Sequence, residues 1–74
     1  MDLTAVKERI MRERRRGDIA YVCRIAGCSD TVFRWAMKRQ TLEQLTPAEE
    51  RAFGAMIDHL DKRIETKQKI ASQC

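Results

Sequence analysis

The sequence is poor in the residues that build turn-rich domains. Only 5% of its 74 residues are aromatic, and it contains three glycines and one proline. A sandwich or barrel of short strands needs closely spaced turn residues and strands rich in aromatic and β-branched side chains, so an all-β fold is disfavoured. No apolar run approaches the roughly 18 residues that a membrane-spanning helix needs. The hydrophobic fraction of 43% is too high for a disordered chain, which leaves a small helical domain.

Residues that carry catalytic or metal chemistry are also scarce. The single histidine, His59, lies far along the chain from Cys23 and Cys28, and no paired histidine completes a zinc site. The odd number of cysteines, with no secretory context, predicts reduced thiols and a cytoplasmic protein. There is no glycine-rich phosphate loop, and Glu49 and Glu50 are expected on a solvated helix face. We therefore expect no enzymatic activity, no metal and no cofactor.

The charge is concentrated at one end of the chain. The net charge is +4 and the sequence pI is about 9.3. Residues 1–40 carry ten basic and five acidic side chains, whereas the remainder carries five and six. A basic domain of this kind favours a polyanionic partner, and nucleic acid before a membrane.

Helical periodicity and breakers predict four helices within a single domain of residues 1–74. They are expected at about 4–15, 18–26, 30–39 and 47–69, and the last begins with a capping box in which Thr46 pairs with Glu49. The arginines that end the first helix complement its dipole and are also possible phosphate contacts. These arginines are Arg14, Arg15 and Arg16.

The second and third predicted helices form a helix-turn-helix pattern over residues 18–39. Gly27 lies in a three-residue turn, as the backbone there requires. Cys23, four residues earlier, is small enough for the close approach of the two helices, and Cys28 fills the corner of the turn. Phe33 and Ala36 are expected to face inward from the third helix. Both cysteines are therefore interpreted as small core residues.

The stretch 27–35, Gly-Cys-Ser-Asp-Thr-Val-Phe-Arg-Trp, resembles the Gly-Val-Ser-x-x-Thr-Val-x-x-Trp signature of lambda-repressor-like (Cro and repressor) helix-turn-helix regulators. It is most similar to the short members found in phages and mobile elements. One residue is missing before the Thr-Val pair, which leaves two registers open for the third helix. The resemblance implies an all-α, four-helix domain whose third helix enters the DNA major groove.

By position, the resemblance also implies a set of DNA-binding residues. Arg34 would read guanine, whereas Lys38 would contact the backbone. Trp35 is either a rim residue of the core or a contact to sugar or base. The full candidate set is Ser29, Asp30, Thr31, Arg34, Trp35, Lys38, Arg39 and Gln40.

The fourth helix carries apolar residues at heptad spacing. Phe53 begins this seam, which continues through Ile57, Leu60 and Ile64. The seam either closes the core of the domain or, in its outer half, pairs with a second copy. A homodimer through Ile57, Leu60 and Ile64 is therefore possible.

The leading functional hypothesis is a sequence-specific double-stranded DNA-binding protein that acts as a small transcriptional regulator or repressor. It would work at the nucleoid, in the cytoplasm of a bacterium or as a phage-encoded protein. Two alternatives stay open. One is a helical protein-interaction module that docks an acidic partner, and the other is a phage DNA-packaging or recombination accessory.

Overall fold

The computed structural model describes residues 3–73, which form four α-helices and one 3₁₀ turn. The helices are α1 (Leu3–Glu13), α2 (Asp18–Ala26), α3 (Asp30–Lys38) and α4 (Pro47–Gln73), with the 3₁₀ turn at Leu42–Gln44. These residues contain no strand, so the predicted all-α fold with a long C-terminal helix is confirmed. Helix α4 ends at Gln73 rather than near residue 69, because no breaker interrupts it. No helix in residues 3–73 is long and apolar enough to cross a membrane.

The core lies where α1, α2 and α3 pack against the first half of α4. The aromatic rings of Phe33 and Phe53 meet edge to face at its centre, with centroids 5.5 Å apart. The predicted apolar stripe of α1 is buried, as are the small residues Cys23 and Ala36. The buried apolar set is Leu3, Val6, Ile10, Val22, Cys23, Phe33, Ala36, Ala52, Phe53, Met56 and Leu60.

The turn between α2 and α3 has the predicted length and a left-handed glycine. Gly27 has φ 72°, its N–H donates to the Arg24 carbonyl, and the Cys28 N–H donates to the Cys23 carbonyl at 2.9 Å. This is the Schellman arrangement that ends a helix. The Cys23 thiol contacts the Ser29 carbonyl at 3.5 Å, and burial raises the pKa of that thiol to about 11. Cys23 is therefore a core thiol that stays protonated at neutral pH.

Replacing Gly27 with alanine should lower the free energy of unfolding by about 1–2 kcal/mol, because an L-residue is strained in the left-handed region. A Cβ at Gly27 would meet no atom within 4 Å, so the loss reports backbone strain rather than a clash. Urea denaturation followed by circular dichroism measures the change.

Gly54 is the matched control for this substitution. It lies inside α4, and a Cβ there also has open space. Gly54→Ala should therefore stabilise the protein by up to about 1 kcal/mol. Equal effects of the same sign at both glycines would contradict the assigned turn.

The start of α4 has the predicted capping box but differs from expectation at Glu49. The Glu49 N–H donates to Thr46 Oγ1 at 3.2 Å, and the Thr46 N–H donates to Glu49 Oε1 at 3.3 Å. The expectation that Glu49 is solvated was wrong, since the residue is only 2% exposed. Its carboxylate accepts two hydrogen bonds of 3.1 Å from the Arg39 guanidinium, which lower the pKa of Glu49 despite burial. The cap thus also ties α4 to the end of α3.

A second polar cluster links the start of α2 to α4 through hydrogen bonds and an ion pair. The Asp18 carboxylate accepts hydrogen bonds from the Arg15 N–H at 2.7 Å and from the Arg63 guanidinium at 2.5 Å. It also contacts the His59 ring at 3.2 Å. Arg63 also donates to the Glu13 carbonyl at 3.2 Å, at the end of α1. Burial alone would raise the pKa of Asp18, but these hydrogen bonds outweigh it and lower the pKa to about 2. The link between α1 and α2 is therefore held by a buried carboxylate.

Candidate nucleic-acid interface

Helix α3 turns one face to the core and the other to solvent. Phe33 and Ala36 are buried and anchor the helix. Arg34 and Lys38 lie one turn apart on the opposite, exposed side, with Thr31 one turn before Arg34. The predicted orientation of this helix is therefore observed, and its polar edge is accessible to a ligand.

The exposed edge of α3 borders a groove of about 520 Å³ that is shared with α1, which we call the α1–α3 groove. Three cations line it: Arg14, which directly follows α1, and Arg34 and Lys38 from α3. Within residues 3–73, none of these three forms an ion pair with a carboxylate, so their charges stay uncompensated at short range. The remaining lining residues are Ile10, Met11, Ile19, Phe33 and Met37.

Trp35 lies beside this edge and contacts one of its cations. The indole is 53% exposed and lines a shallow pocket with Val32, Arg39, Thr46 and Glu49, a position compatible both with the rim of the core and with a contact to sugar or base. The Lys38 ammonium lies 5.0 Å from the centroid of the Trp35 ring, within the range of a cation–π interaction. The ring therefore restricts where the Lys38 charge can lie.

The structure separates Arg39 from the other candidates. Its guanidinium is held by the buried Glu49 carboxylate, and its backbone carbonyl accepts from Lys7 Nζ at 2.7 Å. The hydrogen bonds to Glu49 raise the pKa of Arg39 further above its usual value. Arg39 thus has a structural role, and its side chain remains 36% exposed, so its place among the DNA-binding candidates stays a prediction.

The other candidates at the two ends of α3 are exposed. Ser29 is the N-cap residue, yet its hydroxyl makes no capping hydrogen bond to the helix. Asp30 lies in the first turn, where its negative charge complements the helix dipole. Gln40 follows the helix, and its N–H donates to the Gln44 side chain at 2.8 Å. None of these three residues lines the α1–α3 groove.

The first helix was predicted to reach residue 15 but ends at Glu13, so the arginine run follows α1 rather than ending it. The run is exposed, as its possible phosphate role requires. Arg14 lines the α1–α3 groove, whereas Arg15 and Arg16 follow it in the connection to α2. The proximity of Arg14 to Arg34 could not be read from the sequence, since it depends on how α1 packs. Helical spacing alone did place Arg34 and Lys38 together.

The predicted dimer seam is largely occupied by the core of the same chain. Leu60 is 1% exposed and Ile57 is half-buried against the core, whereas Ile64 is 40% exposed. The inclusion of Leu60 in a homodimer interface was therefore wrong, because the first half of α4 needs it to close the fold. Of the three residues, only Ile64 is substantially available to a second copy.

The comparisons with known proteins gave no match to a protein-family model, a curated protein or a solved structure. The resemblance to lambda-repressor-like regulators stays a prediction that depends on residues 27–35. Within the described residues, no group of three or more histidine, cysteine, aspartate or glutamate side chains is placed to hold a metal ion.

Proposed function

We propose that the protein is a sequence-specific double-stranded DNA-binding protein and acts as a small regulator of transcription. The observation that supports this most is the α1–α3 groove, where Arg14, Arg34 and Lys38 present unpaired positive charge beside an exposed helix edge. The major groove of B-DNA admits an α-helix, and phosphates on its borders attract cations. The proposed site of action is the nucleoid in the bacterial cytoplasm, for a protein encoded by the bacterium or by a phage.

The proposed roles follow from the position of each side chain. Arg34 lies at the middle of the exposed edge and is suited to a bidentate contact with guanine O6 and N7. Lys38 lies near the end of α3, held by Trp35, and Arg14 lies across the groove. These two cations are suited to phosphates, which would fix the register of α3 on the duplex. The hydrophobic anchors Phe33 and Ala36 keep the edge in place.

Replacing Arg34 with alanine should flatten the preference among duplex sequences, with a loss of about 1–3 kcal/mol at the preferred site. Lys38→Ala should instead weaken binding to all sequences similarly and reduce the salt dependence. Sequences selected from a random duplex pool, followed by anisotropy titrations of each variant on preferred and scrambled sites, measure both effects.

Arg51→Ala is the matched control, because Arg51 is exposed, lies on α4 rather than α3, and does not line the groove. The DNA affinity and the sequence preference of this variant should match those of the wild type. If the wild type fails to bind duplex at low salt, the proposal is wrong, and a protein-interaction module becomes the better hypothesis. The exposed outer part of α4, residues 64–73, would then be its docking surface.

A further inference from the structure

A second basic groove lies between the end of α1 and the outer half of α4. It has a volume of about 430 Å³, and we call it the α1–α4 groove. Five of its lining residues are cations and one is a carboxylate, so its local charge is strongly positive. The lining residues are Arg12, Glu13, Arg14, Arg15, Leu60, Arg63, Ile64 and Lys67.

The internal ion pairs of the fold do not neutralise this groove. Its one carboxylate, Glu13, is shared between Arg9 at 3.2 Å and Arg12 at 3.4 Å. Arg63 is engaged with the buried Asp18 carboxylate. Lys67 and Arg15 have no carboxylate partner within residues 3–73. Like charges that share one small space repel each other, and a bound polyanion would remove that repulsion.

The two basic grooves are continuous through one residue. Arg14 lines both the α1–α3 groove and the α1–α4 groove. Two grooves that meet at Arg14 are therefore lined by cations of α3 and α4, and we call this set the cationic track: Lys38, Arg34, Arg14 and Lys67.

From this track we infer that the α1–α4 groove binds backbone phosphates of DNA that flank the segment contacted by α3. The inference rests on the proposed function and adds a binding surface that the helix-turn-helix pattern does not contain. Arg12, Arg15 and Lys67 contact phosphates there. Such contacts carry no sequence information, but they add affinity and salt dependence.

Phosphate binding in this groove would also give the outer half of α4 a role. The last buried residue of α4 is Leu60, and residues 64–73 are all exposed. The helix nevertheless continues to Gln73, beyond the length that the core needs. This extension carries Lys67 to the edge of the α1–α4 groove.

Anisotropy titrations of the full chain with a 24-base-pair duplex, at about 50–200 mM salt, test the groove. Lys67→Ala should reduce affinity roughly fivefold and lower the slope of log K against log salt by about 1, with sequence preference unchanged. Arg12→Ala should do the same. Lys69→Ala is the matched control, because Lys69 is an exposed lysine on the same helix that does not line the groove, and it should match the wild type.

The possible outcomes separate this inference from the proposed function. If Arg34→Ala alters sequence preference but Lys67→Ala and Lys69→Ala behave alike, the groove is not a DNA contact and the proposed function stands. If the wild type does not bind duplex, both are wrong. A parallel titration with tripolyphosphate tests whether the groove binds a free anion instead of DNA. The assignment to DNA would be overturned if tripolyphosphate binding saturates and is lost in Lys67→Ala while the affinity for duplex is unchanged in that variant.

Discussion

Phe33→Ala should lower the free energy of unfolding by about 3–5 kcal/mol, the range for truncating a fully buried aromatic side chain. Phe33 is 1% exposed and joins α3 to α4 through its edge-to-face contact with Phe53. Small domains have total stabilities near the low end of about 5–15 kcal/mol, so the variant should be partly unfolded at room temperature. Urea denaturation followed by circular dichroism measures the loss, with an osmolyte added to restore the folded baseline.

Trp35→Ala is the matched control for this substitution, since Trp35 is the other aromatic residue of α3 and is half exposed. Its truncation should cost about 1–2 kcal/mol, less than at Phe33, because about half of the indole is already in contact with water. Phe33→Leu retains most of the buried volume and should give an intermediate loss of about 1.5 kcal/mol. Similar losses at Phe33 and Trp35 would mean that the two faces of α3 have been assigned the wrong way round.

The helices and turns were predictable because their determinants are local. Gly27 ends α2 through its own left-handed backbone, and Thr46 with Glu49 starts α4 through two hydrogen bonds within one turn. Local sequence patterns did not predict that Glu49 is buried. Its partner Arg39 lies ten residues away, beyond an intervening 3₁₀ turn, and no helical periodicity reports that contact.

The candidate site was predictable only where it lies on one helix. Arg34 and Lys38 share a face because they are four residues apart, and this follows from helical geometry. Arg39 is adjacent to Lys38 in sequence, yet one is bound to a buried carboxylate and the other is exposed. The grooves that Arg14 lines depend on how α1 packs against α3 and α4. That packing is a tertiary property, which charge counts and spacing do not contain.

The apolar seam of α4 is a second case in which the spacing of residues does not determine the tertiary packing. Heptad spacing from Phe53 to Ile64 is compatible with a closed core and with a dimer. Which of these two arrangements forms depends on whether α1, α2 and α3 cover the seam. They cover Leu60 but not Ile64. The spacing thus identifies the apolar face of a helix, whereas the partner of that face depends on the rest of the chain.

Asp18→Asn should lower the free energy of unfolding at pH 7 by about 2 kcal/mol, the amount that corresponds to its lowered pKa. The pKa of Asp18 is about 2 in the folded protein against a usual 3.8, because Arg63, the Arg15 N–H and His59 favour the charged carboxylate despite burial. A carboxylate with a lowered pKa stabilises the fold at pH values above its unfolded pKa. That stabilisation is lost as the pH falls from about 5 towards 2.

Urea denaturation of the wild type and Asp18→Asn between pH 7 and pH 2 measures this difference. The two proteins should differ most at pH 7 and converge near pH 2, where the wild-type carboxylate becomes protonated. Glu49 also has a lowered pKa, but it is present in both proteins and cancels in the comparison. Asp58→Asn is the control, because Asp58 is exposed and has no ion pair within residues 3–73. A constant difference between Asp18→Asn and the wild type at all pH values would show that Asp18 contributes through shape rather than charge.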